Sequence, residues 1–448
     1  MQTTNKSSLR KGVSLPDIVS LGVGAAVGVS IFSVLAPATA LAGPAMLIAL
    51  PVAMTPMIIF AVVYGFMGSA LPVSGASYEW PRRFIHPFAG FFISWLRIAG
   101  SAAALVVLAF VLVSYLSMVA PLPQKPVMFG IFSVVFVMNL LGVSIAAKGQ
   151  TIMLTVLLAT CAALAVTAAP AVDPGNFDPF LSKGWSGVML AAPLMITLFL
   201  GIETATEVGE EVKNPGRNIP LGIGLAIALT TLLYLSVAVV SVGVLGEEAL
   251  AGSSAPLLDV ARAAMGRIGT PLIVLSATAA IGTSINAIFI IFTRYLFAMG
   301  RSGAFPSAIG AAHPGTGAPH VASATAYALC CAGLFLPTDL IFLFLAVNIP
   351  TLLKYAATSI SATRLIDREP GLYEASAFRP PRPVVRFLGY LGAVAALALI
   401  AIGFSADWRP YALLAGWAAL GALYYFLRAR RRASSVEKSG VAAPPRRA

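Results

Sequence analysis

The chain has 448 residues, 58% of them hydrophobic and only 10% charged, with a mean hydropathy of +0.90 and a formal net charge of +12. A water-soluble domain of this size needs about 25% charged residues to cover its surface, so the composition excludes one and makes lipid the solvent. The basic balance alone would admit nucleic acid as a partner, but the placement of the charges excludes it.

Residues 1–15 form a polar, basic tail, and no cleavable signal peptide precedes the first apolar run, which is a full span. Apolar runs broken by charge, Gly and Pro then predict transmembrane helices over 16–41, 45–70, 88–118, 126–145, 149–171, 187–209, 219–245, 270–299, 319–336, 338–360, 384–404 and 408–428. The expected fold class is therefore all-α integral membrane with about twelve transmembrane helices. An even count puts both termini on one side. Only Lys125, Lys183, Arg262, Arg267 and Arg409 fall on the opposite side, and Arg97 lies within a span. The rest of the 29 Lys and Arg share the side of the termini, which the positive-inside rule makes cytoplasmic. The expected location is a cell (inner or plasma) membrane. Within the outer loop 246–269, Ala255–Met265 has amphipathic spacing. Residues 371–383 are a Pro-rich link. Arg428–Arg432 read as an anchor facing anionic lipid, and the tail 433–448 as disordered. Cys161, Cys330 and Cys331 lie in apolar runs and read as core residues.

Two spans look interrupted. In the first, Gly22, Gly24 and Gly28 crowd the run Gly24–Phe32; in the sixth, Gly201 lies in Thr197–Glu203. Glycines in a span either let helices pack closely or break the helix. A break at mid-membrane frees N–H and C=O groups that hydrocarbon cannot satisfy but a ligand can. Breaks five spans apart match an inverted repeat with a midplane site, and on spacing alone the packing alternative stays open.

At these residues the chain resembles the amino acid–polyamine–organocation superfamily, over roughly residues 14–370. The first span is similar to that family's glycine-rich G-x-x-x-G-x-G-I-F, with Ser30 in place of the last Gly. Pro72–Tyr78, Asn139–Val143, Phe199–Glu203 with Glu210–Pro220, and Thr293–Arg301 follow in the family's order. The resemblance implies a LeuT-type fold: a first five-helix repeat over 16–171, an inverted second repeat over 187–360, helices 11 and 12 over 384–428, and a basic tail from 429 to 448. It implies alternating access, with a substrate carboxylate on the amides of Val29 and Ser30 and Gly28 allowing close approach. It places the substrate ammonium at carbonyls near Ala25, Ala26, Thr197, Leu198 and Leu200, with Ile202 packed over it and Ser101–Ala104 and Asn286 as walls. Thr197 stands where many members carry an aromatic gate, and the family's acid late in span two is missing after Tyr64.

Charges inside a membrane are functional suspects. Glu203 either relays a proton or holds the break, with the structural role favoured. Arg97 either pairs with an acid or snorkels, with snorkelling favoured, and Lys354 is expected to snorkel. Glu207, Glu210 and Glu211 are expected to form a solvated cluster with Lys213 and Arg217. No cofactor is expected beyond a coupling ion, Na⁺ or H⁺. The resemblance offers a sodium site from carbonyls of Gly24 and Val27 and hydroxyls of Thr283 and Ser284; the alternative is that both hydroxyls bond their own helix. A second sodium site is expected absent, because Ile31 stands where a side-chain amide is needed. Span five has Thr151, Thr155, Thr160 and Thr167 but no base, which weighs against the lysine route to proton coupling. Sodium coupling, another proton route and exchange stay open.

The leading reading is a secondary transporter of amino acids, small and neutral because no second buried acid is in view. The alternatives are amine or polyamine transport, which would lean on Glu203, and a non-transporting membrane sensor. The expected partners are a small amino acid or amine and the bilayer, with no nucleic acid. Enzymatic activity is not expected, because His86, His313 and His320 are scattered in loops.

Overall fold

Hydrocarbon satisfies no backbone polar group, so a chain this apolar has to close its hydrogen bonds within helices. A computed structural model describes residues 9, 11–28, 30–335, 340–404 and 408–439. In chain order the helices are α1 (Leu15–Val27), α2 (Ser30–Ser33), α3 (Leu35–Ala42), α4 (Met46–Ala70), α5 (Ala76–Phe84), α6 (Pro87–Leu116), α7 (Gln124–Leu140), α8 (Val143–Ala168), α9 (Gly184–Met195), α10 (Pro215–Ala251), α11 (Pro256–Met265), α12 (Gly269–Arg301), α13 (His320–Gly333), α14 (Leu340–Arg368), α15 (Pro370–Ala375), α16 (Arg382–Phe404) and α17 (Arg409–Ser439). Among the described residues the extended pairings are two isolated bridges, Val13 with Val212 and Ser74 with Val208.

Each of the twelve expected spans coincides with one helix or a run of them. Nine stretches among the described residues are long and apolar enough to cross a membrane; α7 is a shorter apolar helix of 17 residues, and α13 has 14. The fold is an all-helical membrane protein.

The centre is α12, which packs against α1, α6 and α8 and is buried continuously from Phe289 to Gly300. The outer surface is apolar: Val166, Leu232, Phe387 and Val394 are all exposed, as side chains facing acyl tails are. At the C-terminal end, Trp95 and Trp417 each donate an indole N–H to the other's carbonyl at 2.8 Å, which docks α17 on α6.

Some sequence expectations change here. Residues 433–439 continue α17 as helix, and 440–448 lie outside the described residues. Arg428 does not reach for lipid. Its guanidinium donates to the carbonyls of Gly303 (3.1 Å) and Phe305 (2.9 Å) and to Tyr424, because the loop after α12 leaves those carbonyls without helix partners. The link 371–383 begins with the short α15, and the amphipathic stretch is α11.

Candidate functional site

α1 stops at Val27 because Gly28 takes φ 32° and ψ −129°, a conformation open to glycine that cannot continue an α-helix. An added Cβ there would lie 2.7 Å from Ser284 Oγ. Helix resumes at Ser30, and Val34 N–H donating to Ser30 O at 3.0 Å carries it into α3. The second break is longer. After Met195 the backbone tightens to a 3₁₀ turn over Ile196–Phe199, extends at Leu200, turns left-handed at Gly201 (φ 102°) and continues as 3₁₀ over Ile202–Glu207. The breaks touch: a Cβ at Gly201 would lie 3.1 Å from Ala25 Cβ and 3.3 Å from Ala25 O.

A cavity of about 390 Å³ lies where the breaks meet α6, α12 and α14. Of the residues singled out from sequence, Ala25, Ala26, Gly28, Ser30, Thr197, Leu200, Glu203 and Ser284 line it. Gly24, Val27 and Thr283 stand behind that wall. Leu198 and Ile202, each 2% exposed, are core residues away from the cavity, and the Ile202 carbonyl lies against Gly22 of α1. A 3₁₀ turn rotates successive side chains by a third of a turn, so only some of the sixth-span residues can face one cavity. Val29 lies outside the described residues. Ser101 and Ala104 are walls as expected, but Asn286 is not: it faces α8, where its Nδ2 donates to Gln150 Oε1 (2.8 Å) and Ala146 O (3.0 Å). The lining from α6, α12 and α14 mixes aliphatic side chains, Val107 and Leu108 of α6, Ile288 and Ile291 of α12 and Val347 of α14, with polar and charged ones, Arg97 and Ser101 of α6 and Asn348, Thr351 and Lys354 of α14.

The charges differ most from expectation. Lys354 does not snorkel; it is 3% exposed and its ammonium pairs with Glu203. The other Glu203 oxygen accepts from Tyr355 OH at 2.7 Å, and Tyr355 in turn accepts the N–H of Gly201 at 3.2 Å. A freed backbone donor of the break is thus tied through Tyr355 to a buried ion pair. Arg97, 7% exposed, likewise points to a partner, donating to Ser77 and to Glu207 at 3.1 Å. Glu207 also accepts from the Ser77 amide (3.2 Å) and hydroxyl. Glu211, buried, is held by both Nε (2.9 Å) and Nη2 (3.1 Å) of Arg294, and Arg294 is itself buried. Of the acids in the expected solvated cluster only Glu210, half-buried, reaches the surface, where it pairs with Arg301; Lys213 and Arg217 are exposed as expected. Two further buried acids therefore exist, each already neutralised. Burial of ionised groups is tolerable only in such pairs, which is why α6, α12 and α14 each supply a cation to this one segment.

Cations opposite the acids could not be matched in sequence, because the partners lie on different spans. Tyr355 and Gln150 were also not singled out; the available signal was a polar residue inside an apolar run. His313 and His320, read as scattered, meet with ring centroids 5.6 Å apart, while His86 caps α6 by accepting the Phe88 N–H at 3.2 Å. Among the described residues no group of three or more His, Cys, Asp or Glu is placed to hold a metal, and the three cysteines are free.

Residues 13–420 match the family model described as amino acid permease. The chain belongs to the amino acid permease family. This permease is 28% identical to the branched-chain amino acid permease BcaP of Bacillus subtilis, over 96% of the chain and 95% of that protein. It is 29% identical to an uncharacterized transporter of Mycobacterium tuberculosis, covering 86% of the chain and 85% of the relative. The methylthioribose transporter of Bacillus subtilis is 25% identical over 96% and 95% of the two chains.

Proposed function

We propose that this permease is a secondary transporter carrying neutral amino acids across the cell membrane by alternating access. The observation that carries the reading is the meeting of two broken helices on one cavity that carries an aliphatic patch from α6 and α12, with the lining cation Lys354 already paired to Glu203. Freed backbone groups suit an α-carboxylate and α-ammonium, and an aliphatic patch suits a side chain without charge. Small and branched aliphatic side chains fit Ala104, Leu108, Ile288 and Ile291. The similarity to branched-chain permeases supports the same class. In this reading the chain crosses the membrane twelve times as two inverted five-helix repeats plus two helices, with both termini cytoplasmic. The amide of Ser30 meets the carboxylate, and Glu203 holds the second break.

The amine alternative is weaker, because the carboxylate it would need, Glu203, already carries Lys354 and Tyr355. The test is counterflow in proteoliposomes with labelled leucine, valine, alanine, putrescine and methylthioribose. Leucine, valine or alanine exchange, abolished by Ser30→Pro, is the expected result. Proline is tolerated at a first helical position, so that variant removes one amide and keeps α2. Exchange of putrescine alone would move the assignment to amines. Absence of all exchange would favour a sensor.

A further inference from the structure

Behind the cavity, α1, α8 and α12 meet around Gly24, at the candidate sodium site. A sodium ion needs several oxygen acceptors turned toward it. Here each group of that set already has a neutral partner. Ser284 Oγ donates to Gly24 O. Thr283 Oγ1 lies 3.4 Å from the same carbonyl and donates to Ala280 O at 2.6 Å. The Val27 carbonyl is 3.5 Å from the Tyr234 hydroxyl, which lies 3.3 Å from Ala26 O.

The space beside Gly24 belongs to Gln150. Its side chain is fully buried, and its Nε2 lies only 2.0 Å from where a Cβ of Gly24 would stand. The orientation of the carboxamide is fixed from both ends. Oε1 accepts from Asn286 Nδ2 at 2.8 Å, and Nε2 donates to Ser20 O of α1 at 3.1 Å. Asn286 Oδ1 in turn accepts from Asn139 at 3.3 Å. Reversing the Gln150 amide would set N–H against N–H and oxygen against oxygen. The chain of amides therefore presents the donor end of a dipole to α1, and a cation beside Gly24 would face an NH₂ group instead of an oxygen. The residues present do not fit sodium.

We propose that the Gln150 carboxamide takes the place of a coupling cation at the α1–α8–α12 junction, so that this chain works independently of sodium. Gln150 is a positioning residue: it ties α8 to the inner half of the broken α1 with a permanent neutral donor, where an ion would do so only when bound. The consequence concerns the junction and does not depend on which substrate the cavity takes.

The test is thermal unfolding of the full-length detergent-solubilised protein in NaCl and in choline chloride at equal ionic strength, with Na⁺-dependent counterflow read beside it. A ligand that binds the folded state raises Tm in a saturable way. The wild type should unfold at the same temperature in both salts and exchange substrate equally well in both. Gln150→Glu exchanges the donor for acceptors and should gain a saturable sodium-dependent rise in Tm. Gln150→Ser, uncharged and shorter, supplies the same arm should the glutamate variant not fold. Gln150→Ala should unfold at a lower temperature with no ion response, which separates loss of packing from gain of an ion site. A saturable sodium response in the wild type, or none in either oxygen-bearing variant, would overturn the proposal.

Discussion

The two breaks lie against each other yet are held open differently. In α1 the helix is lost at Gly28 and regained at Ser30. The sixth-span break runs from Ile196 to Glu211 as successive 3₁₀ turns, and its acids are pinned by Lys354, Arg97 and Arg294 from three other helices. A short break needs only a residue without a Cβ. A long one leaves many backbone groups unpaired and needs side chains from outside to fix its path. The first break should therefore fail through local backbone chemistry and the second through its distant charges.

The largest effect is expected at Lys354. Lys354→Met leaves Glu203 buried without its cation, which costs about 3–5 kcal/mol. The expected outcome is loss of monodisperse protein in fluorescence-detected size exclusion, with the double variant Lys354→Met, Glu203→Gln recovering most of it. No recovery would mean that the pair does not act as a unit. Next come the glycines. Gly201→Ala forces a left-handed φ on alanine and should cost about 1–2 kcal/mol. Gly28→Ala adds a contact with Ser284 to similar strain, so it should lower counterflow more than it lowers Tm. Equal effects of both glycines on counterflow and Tm would erase the distinction between the breaks. Within the cavity, Ala104→Leu should weaken leucine at least tenfold relative to alanine in competition, since pocket methylenes discriminate by about 10–200-fold. The smallest effect belongs to the exposed pair: Glu210→Gln should shift stability by no more than about 1 kcal/mol.

Sequence pattern went far for the helices and less far for their partners. Glycine spacing marked both breaks, because an interruption is a local property of Gly28 and Gly201. Snorkelling, favoured for Arg97 over pairing with an acid and expected of Lys354, does not occur, because local sequence shows a lone charge in lipid and not which acid on another span meets it. Leu198 and Ile202 came from the family resemblance, and in this chain the segment is wound at three residues per turn, which keeps both side chains in the core and off the cavity wall. Gln150 stood at the edge of span five, where a polar residue looks like a span end rather than a buried donor.

The central claim is that freed backbone at the two breaks recognises both ends of an amino acid. Competition against labelled leucine in proteoliposome counterflow tests it most directly, with leucine, isoamylamine (no carboxylate) and isocaproate (no ammonium) as competitors. Strong competition by leucine and weak competition by either truncated compound is the predicted result; isoamylamine competing as well as leucine would contradict the account.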